Sequence, residues 1–272
     1  MVCLDRLLSD KKNRQELSSQ KEILTNHIHW AIEELENKGY KIQSKVTFGI
    51  DPNLEIMGYT TETESGQRTV ISSWALSSPM LKGLLIHEMT HIVRTEEGHP
   101  SHNFQLLSDV VSRYSRNHDL DNDTTMMLRE TLQHVQDIYA DDIGFLVLRD
   151  SMDQKIIEEF FSNWVKDDYD ARQFGDRANN ITSTFASNAF ALASLRRHGY
   201  DSNAETRIKK ANSLFLKKAF QNASFERMIA IYSKVVDMLS SLPKSNMGEE
   251  QFSDLMQRYF DLLLTTKQPS DS

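Results

Sequence analysis

Apolar residues recur along most of this chain at the three-and-four spacing of buried helix faces, with one stretch, residues 41–74, where they alternate instead. Residues 4–38 predict a long helix through Leu17, Ile23, Leu24, Ile28, Ile32 and Leu35, closed by Gly39 as C-cap. His27, His29 and Trp30 fall within it as ordinary helix-face residues. From Lys41 the pattern turns to strands. One runs through Val46, Phe48 and Ile50 to the turn Asp51-Pro52-Asn53, and 56–63 and 68–74 bracket Glu64-Ser65-Gly66-Gln67 as a hairpin. Strand 68–74 is expected at a sheet edge, able to pair with an extended peptide. Helical spacing then resumes: 81–93, a segment through Leu106, Leu107, Val110 and Val111 capped by Ser101 or Asn103, 123–150, and 156–165, 181–197, 208–220, 225–242 and 251–265. The expectation is an α+β fold, predominantly helical, with a small sheet backing helix 81–93.

That helix, LKGLLIHEMTHIV, carries the first chemistry. Ser78 suits its N-cap and Pro79 its first position, where no N–H is needed. His87 and His91, four apart, share a face, and Glu88 lies about 100° round the helix from His87. This H-E-x-x-H spacing supplies two imidazole nitrogens to one metal and a carboxylate able to take a proton from water. Because the helix is apolar nearly all round, it is a buried one, and a metal removes the cost of burying its two histidines and glutamate. Gly98-His99-Pro100 ends the helix, and His99 and His102 follow closely enough to be considered as a further ligand.

Composition narrows the reading. The 272 residues are 39% hydrophobic, enough for a substantial core, and the net charge of −8 without a basic cluster argues against a nucleic-acid partner. A single cysteine, Cys3, excludes a disulfide framework and a cysteine-built zinc cluster. Neither a spanning apolar run nor a secretory signal is evident, so the expectation is a cytoplasmic protein that does not enter the membrane.

The second informative stretch is 123–150. Leu128, Leu132, Val135, Tyr139, Ile143 and Leu146 form an apolar stripe, and the opposite face presents Glu130, His134, Asp137, Asp141 and Gly144. A solvated face normally mixes bases with acids. The central turns of this one carry only acids and histidine, followed by a glycine that permits close approach, and it calls for a cation. Beyond residue 150, Phe160, Phe161, Trp164, Phe174, Phe185 and Phe190 read as core, and Arg172, Arg177, Asn180 and Asn188 as residues that could line a cleft.

His87-Glu88-x-x-His91 followed by Asp137-x-x-x-Asp141 resembles the zincin metallopeptidases, specifically the gluzincin pattern. Ala140-Asp141-Asp142-Ile143-Gly144 is similar to the A-D-x-x-G of the CAAX-prenyl-endopeptidase-like branch. The resemblance covers about a quarter of the chain. It implies a zincin-like metal-binding domain over 1–150, with a helical subdomain over 151–272 packed on it. It also implies zinc held by His87, His91 and Asp137, with Glu88 as base and Asp141 as acceptor for a ligand histidine. Two departures stand out: Asp137 replaces the family's glutamate, and the membrane helices of that branch are missing. A rival resemblance, to zincins whose third ligand is a histidine shortly before an aromatic, would use His99 or His102 with Phe104. The implied activity is hydrolysis of a peptide or protein substrate, with His134, Tyr139 and Arg172 as candidate oxyanion donors. The alternative is an inactive zincin fold kept as a metal-stabilised interaction module.

Overall fold

The computed structural model describes residues 2–169, 173–199, 202–220, 223–244 and 247–267. Arg172 and the side chains of Leu17 and Phe160 lie outside what is described. The elements run α1 (Val2–Asn37), β1 (Val46–Asp51), β2 (Gly58–Thr63), β3 (Gly66–Ser72), α2 (Leu81–Glu96), α3 (Phe104–Asn117), α4 (Asn122–Ser151), α5 (Gln154–Trp164), α6 (Arg177–His198), α7 (Ser202–Ala219), α8 (Ala223–Ser240) and α9 (Glu249–Leu264). The fold is α+β and predominantly helical, and the described residues include no helix long and apolar enough to cross a membrane.

The sheet differs from the expected one in a way that matters for the site. Its order is β1-β3-β2: β1 runs parallel to β3, and β2 antiparallel to it. Strand β3, expected at an edge, is therefore central. Its Thr69, Val70, Ile71 and Ser72 are buried, which fits a strand flanked on both sides, whereas β2 is largely exposed. The hairpin is also tighter than expected, with Thr63 opposite Gly66 across two turn residues. Gly66 has φ +133°, and a Cβ there would meet the Lys45 carbonyl oxygen, so only glycine serves.

The edge strand beside α2 is β2. At Gly58 β2 packs closely on β3: a Cβ there would lie 2.8 Å from Ile71 Cδ1 and 2.9 Å from the Val70 oxygen, and 3.5 Å from Leu84 Cδ2 of α2. One turn along, the Thr60 hydroxyl donates to the Glu88 carbonyl (3.4 Å) and pairs with Thr69 (2.9 Å). The sheet thus grips the motif helix at the motif itself.

Helix α2 begins two residues later than expected. A short 3₁₀ turn (Trp74–Ser77) precedes it, and the Ser78 hydroxyl accepts from the Met80 amide at 3.1 Å, so Pro79 stands in the turn before the helix. Leu84, Leu85, Ile86, Met89, Ile92 and Val93 are buried, as its sequence requires. Helix α1 covers one side with Leu24, Ile28, Ala31 and Leu35, and α4 crosses the other. Helix α4 starts at Asp121, whose carboxylate accepts from the Thr124 amide at 2.6 Å, and it is buried on nearly every face. Leu146, placed in the apolar stripe by its spacing, is 45% exposed. Phe161, Phe174, Phe185 and Phe190 are core, in one continuous cluster that runs from α1 to α9.

Helix α6 is the axis of the C-terminal half. Its Arg197 makes two 2.7 Å hydrogen bonds to the Asp142 carboxylate and donates to the Ser240 (3.1 Å) and Leu242 (2.5 Å) carbonyls that end α8. Both side chains are almost fully buried. Arg197→Met would strand the Asp142 carboxylate without a partner and is expected to cost about 3–5 kcal/mol. Urea unfolding measures it; a loss under about 1 kcal/mol would mean that Asp142 is resolvated or neutralised. Arg177, Asn180 and Asn188, considered as cleft residues, tie down the chain instead. Arg177 bonds the Tyr169 hydroxyl, Asn180 pairs with the Phe174 backbone, and Asn188 with that of Lys166.

Candidate metal centre

Where α2 crosses α4, three donor atoms converge. His87 Nε2 and His91 Nε2 are 3.1 Å apart, and Asp137 Oδ1 lies 3.7 Å from the first and 3.4 Å from the second. This is the group of His, Cys, Asp and Glu atoms among the described residues able to hold a metal ion. A tetrahedral zinc with ligand distances of about 2.0–2.2 Å separates its donors by about 3.3–3.6 Å, close to the 3.1–3.7 Å of this triangle, so the three residues fit a zinc-sized ion. The fit has a chemical side too. The Asp141 carboxylate takes the proton on His87 Nδ1 at 2.9 Å, which leaves the lone pair of a neutral His87 on Nε2, facing another ring nitrogen and a carboxylate. Acceptors crowded on one point favour a cation or a proton between them.

The electrostatics agree. Burial works against a charged His87. The hydrogen bond to Asp141 and the charges of Asp141, Asp137 and Glu88 outweigh it and raise its pKa to about 10. A proton is thus held where the ion would sit. Burial also opposes ionisation of Asp137, but its hydrogen bond to His91 and the nearby histidines hold its pKa below the usual carboxylate range. For Asp141 burial prevails and pushes the pKa up, against the pull of His87. With the Ser194 hydroxyl donating to its other oxygen at 3.2 Å, we describe the pair as carboxylate and imidazole N–H.

Glu88 is 5% exposed. Its carboxylate accepts no hydrogen bond from the described residues. Its charge acts on His87. A carboxylate next to a ligand histidine in sequence, outside the donor triangle and acting on that ring, is a candidate proton acceptor.

The two histidines that follow the motif stand elsewhere. His102 Nε2 lies 2.8 Å from His91 Nδ1, the ring nitrogen turned away from the triangle, and its Nδ1 lies 2.8 Å from the Ser101 hydroxyl. Ser101 Oγ is 2.7 Å from His99 Nδ1, which also accepts from the Ser101 amide at 3.2 Å. His99 is packed on the Tyr139 ring, with 4.4 Å between centroids. Neither reaches the metal position, so the donors that meet are those of His87, His91 and Asp137. Tyr139, a candidate oxyanion donor, is fully buried with its hydroxyl unpaired, and no substrate could touch it. His134, one turn before Asp137, is stacked on Phe190 with its Nδ1 sealed and unpaired. Gly144 does face α2, yet a Cβ there would meet Ile86 Cγ2 at 3.6 Å, an ordinary contact, so close approach does not require glycine.

Three buried histidines are held neutral. Burial lowers the pKa of His99 to about 4, with help from Arg94, and that of His134 to about 4, against Asp137; His198 falls to about 3 through burial and then Arg197. The unfolded chain binds these protons near pH 6.5 and the folded chain does not. The contribution of these three to stability is therefore complete above pH 6.5 and falls as the pH drops towards 4. Urea midpoints across that range measure this, and a flat profile would contradict it.

Residues 23–224 match the family model described as "Family of unknown function (DUF5781)", and the chain belongs to that family. No curated protein and no solved structure matches it.

Proposed function

We propose that the protein is a zinc-dependent metallopeptidase of zincin type. The observation that carries this reading is the convergence of His87, His91 and Asp137 on one point, with the Glu88 charge acting on His87. A bound zinc would supply Lewis acidity to a peptide carbonyl and make water nucleophilic near neutral pH. Glu88 accepts the proton of the attacking water and passes it to the leaving amine. Asp141 holds the His87 ring in place, with Ser194 holding Asp141. Strand β2, exposed along its outer edge and bonded through Thr60 to the motif helix, offers backbone groups to an extended peptide. Of the candidate oxyanion donors, His134 is the one left among the described residues.

The rival reading, an inactive metal-stabilised interaction module, has no need of a buried carboxylate with no hydrogen-bond partner among the described residues next to a ligand histidine. A library of internally quenched peptides tests the proposal. Cleavage by the purified chain should stop with a chelator and return with zinc. Cleavage that persists in chelator, or its absence at full zinc loading, would overturn it.

A further inference from the structure

We infer that one backbone amide, that of Ser101, fixes the proton positions of His99, His102 and His91 in turn, making His102 the positioning residue that aims the His91 lone pair at the metal. This rests on the metal reading of His87, His91 and Asp137. A backbone N–H can only donate, so His99 Nδ1, at 3.2 Å from the Ser101 amide, is an acceptor and carries no proton. The Ser101 hydroxyl, 2.7 Å from the same nitrogen, must then donate to it. Its single proton is spent there, so at its other contact it accepts: His102 Nδ1, at 2.8 Å, carries the proton. Among the described residues no carboxylate pairs with His102, and a neutral imidazole has one N–H. Its Nε2 is therefore bare and accepts from His91 Nδ1–H across 2.8 Å. With Nδ1 protonated in this way, a neutral His91 has its lone pair on Nε2, the nitrogen that faces Asp137 Oδ1 at 3.4 Å, so a metal there takes the place of the proton Nε2 otherwise shares with Asp137.

The two ligand histidines are thus oriented by different groups. A carboxylate stands behind His87 and makes it the more basic ligand; a neutral imidazole stands behind His91 and adds no charge. A second carboxylate there would have fixed the same tautomer, but would have made the centre more anionic and its metal a weaker Lewis acid. Ser101 and His102 sit in a short 3₁₀ turn (Pro100–His102) whose Pro100 and Ser101 are buried, so the chain of donors is built on fixed backbone.

The test uses the full chain, with zinc as the probe and nitrogen-15 in the histidine rings. In metal-free and zinc-loaded wild type, His91 Nδ1 should carry a slowly exchanging proton coupled through the hydrogen bond to His102 Nε2. A proton residing on His102 Nε2 would overturn the inference. In chelator competition, His102→Leu should lose about 10–100-fold in zinc affinity. His102→Gln, whose amide can accept from His91 and donate to Ser101, should stay within about threefold. Equal affinity in His102→Leu and wild type, or equal losses in Leu and Gln, would also overturn it. Should His102→Leu fail to fold, Ser101→Ala, which removes one hydroxyl, must weaken zinc binding and speed exchange of the His91 proton; no change in either counts against the chain. Wild type that binds no zinc would sink the metal reading and the positioning role together. The ring signals, read without metal, separate that result from a wrong tautomer.

Discussion

Glu88→Gln is expected to lower peptide hydrolysis by about 10²–10⁴-fold while zinc content stays near that of wild type. The amide keeps the shape of the side chain but cannot take a proton from water. Glu88 lies outside the ligand triangle, so the substitution leaves the three donors in place. Parallel measurement of turnover and bound zinc separates the cases. Equal turnover in both proteins would remove Glu88 from the mechanism, and loss of zinc along with activity would make it a ligand or a structural residue.

Asp137→Ala should be the more damaging substitution for the metal. It deletes one of three donors and leaves His87 and His91 facing a gap, so zinc affinity should fall by well over the about 10–100-fold expected for Asp141→Ala, which loses only the group behind His87. His102→Ala belongs with Asp141→Ala, because it stands behind His91. Zinc titrations of the three variants, with circular dichroism to confirm folding, give the order. A folded Asp137→Ala with its full complement of zinc would remove Asp137 from the coordination sphere.

Residues spaced along single helices made most of this site legible. His87 and His91 fall on one face of α2 by helical geometry alone, and Asp137 and Asp141 repeat that spacing on α4, so the two halves of the site could be read before their crossing was known. The crossing itself is a matter of packing between elements about fifty residues apart, and no local pattern encodes it. The same holds for the sheet. The residues of β3 alternate and β-branch like those of any strand, and its central place follows from a parallel pairing with β1 that periodicity cannot show. His102 was visible as a histidine near the metal, but chain spacing does not distinguish a ligand from a ligand's partner; only the ring nitrogen that it faces does. Ser194 lies on α6 among buried residues of many kinds and gave no signal at all.

The most direct test of the central claim is the metal itself: elemental analysis and zinc-edge X-ray absorption on protein purified without chelators. The structure leads us to expect one zinc per chain, bound by two imidazole nitrogens and a carboxylate oxygen at about 2.0–2.2 Å. Loss of that metal in a folded His87→Ala, His91→Ala double variant completes the result. A chain that holds no transition metal and takes none up on dialysis, or a double variant that keeps its zinc, would contradict it.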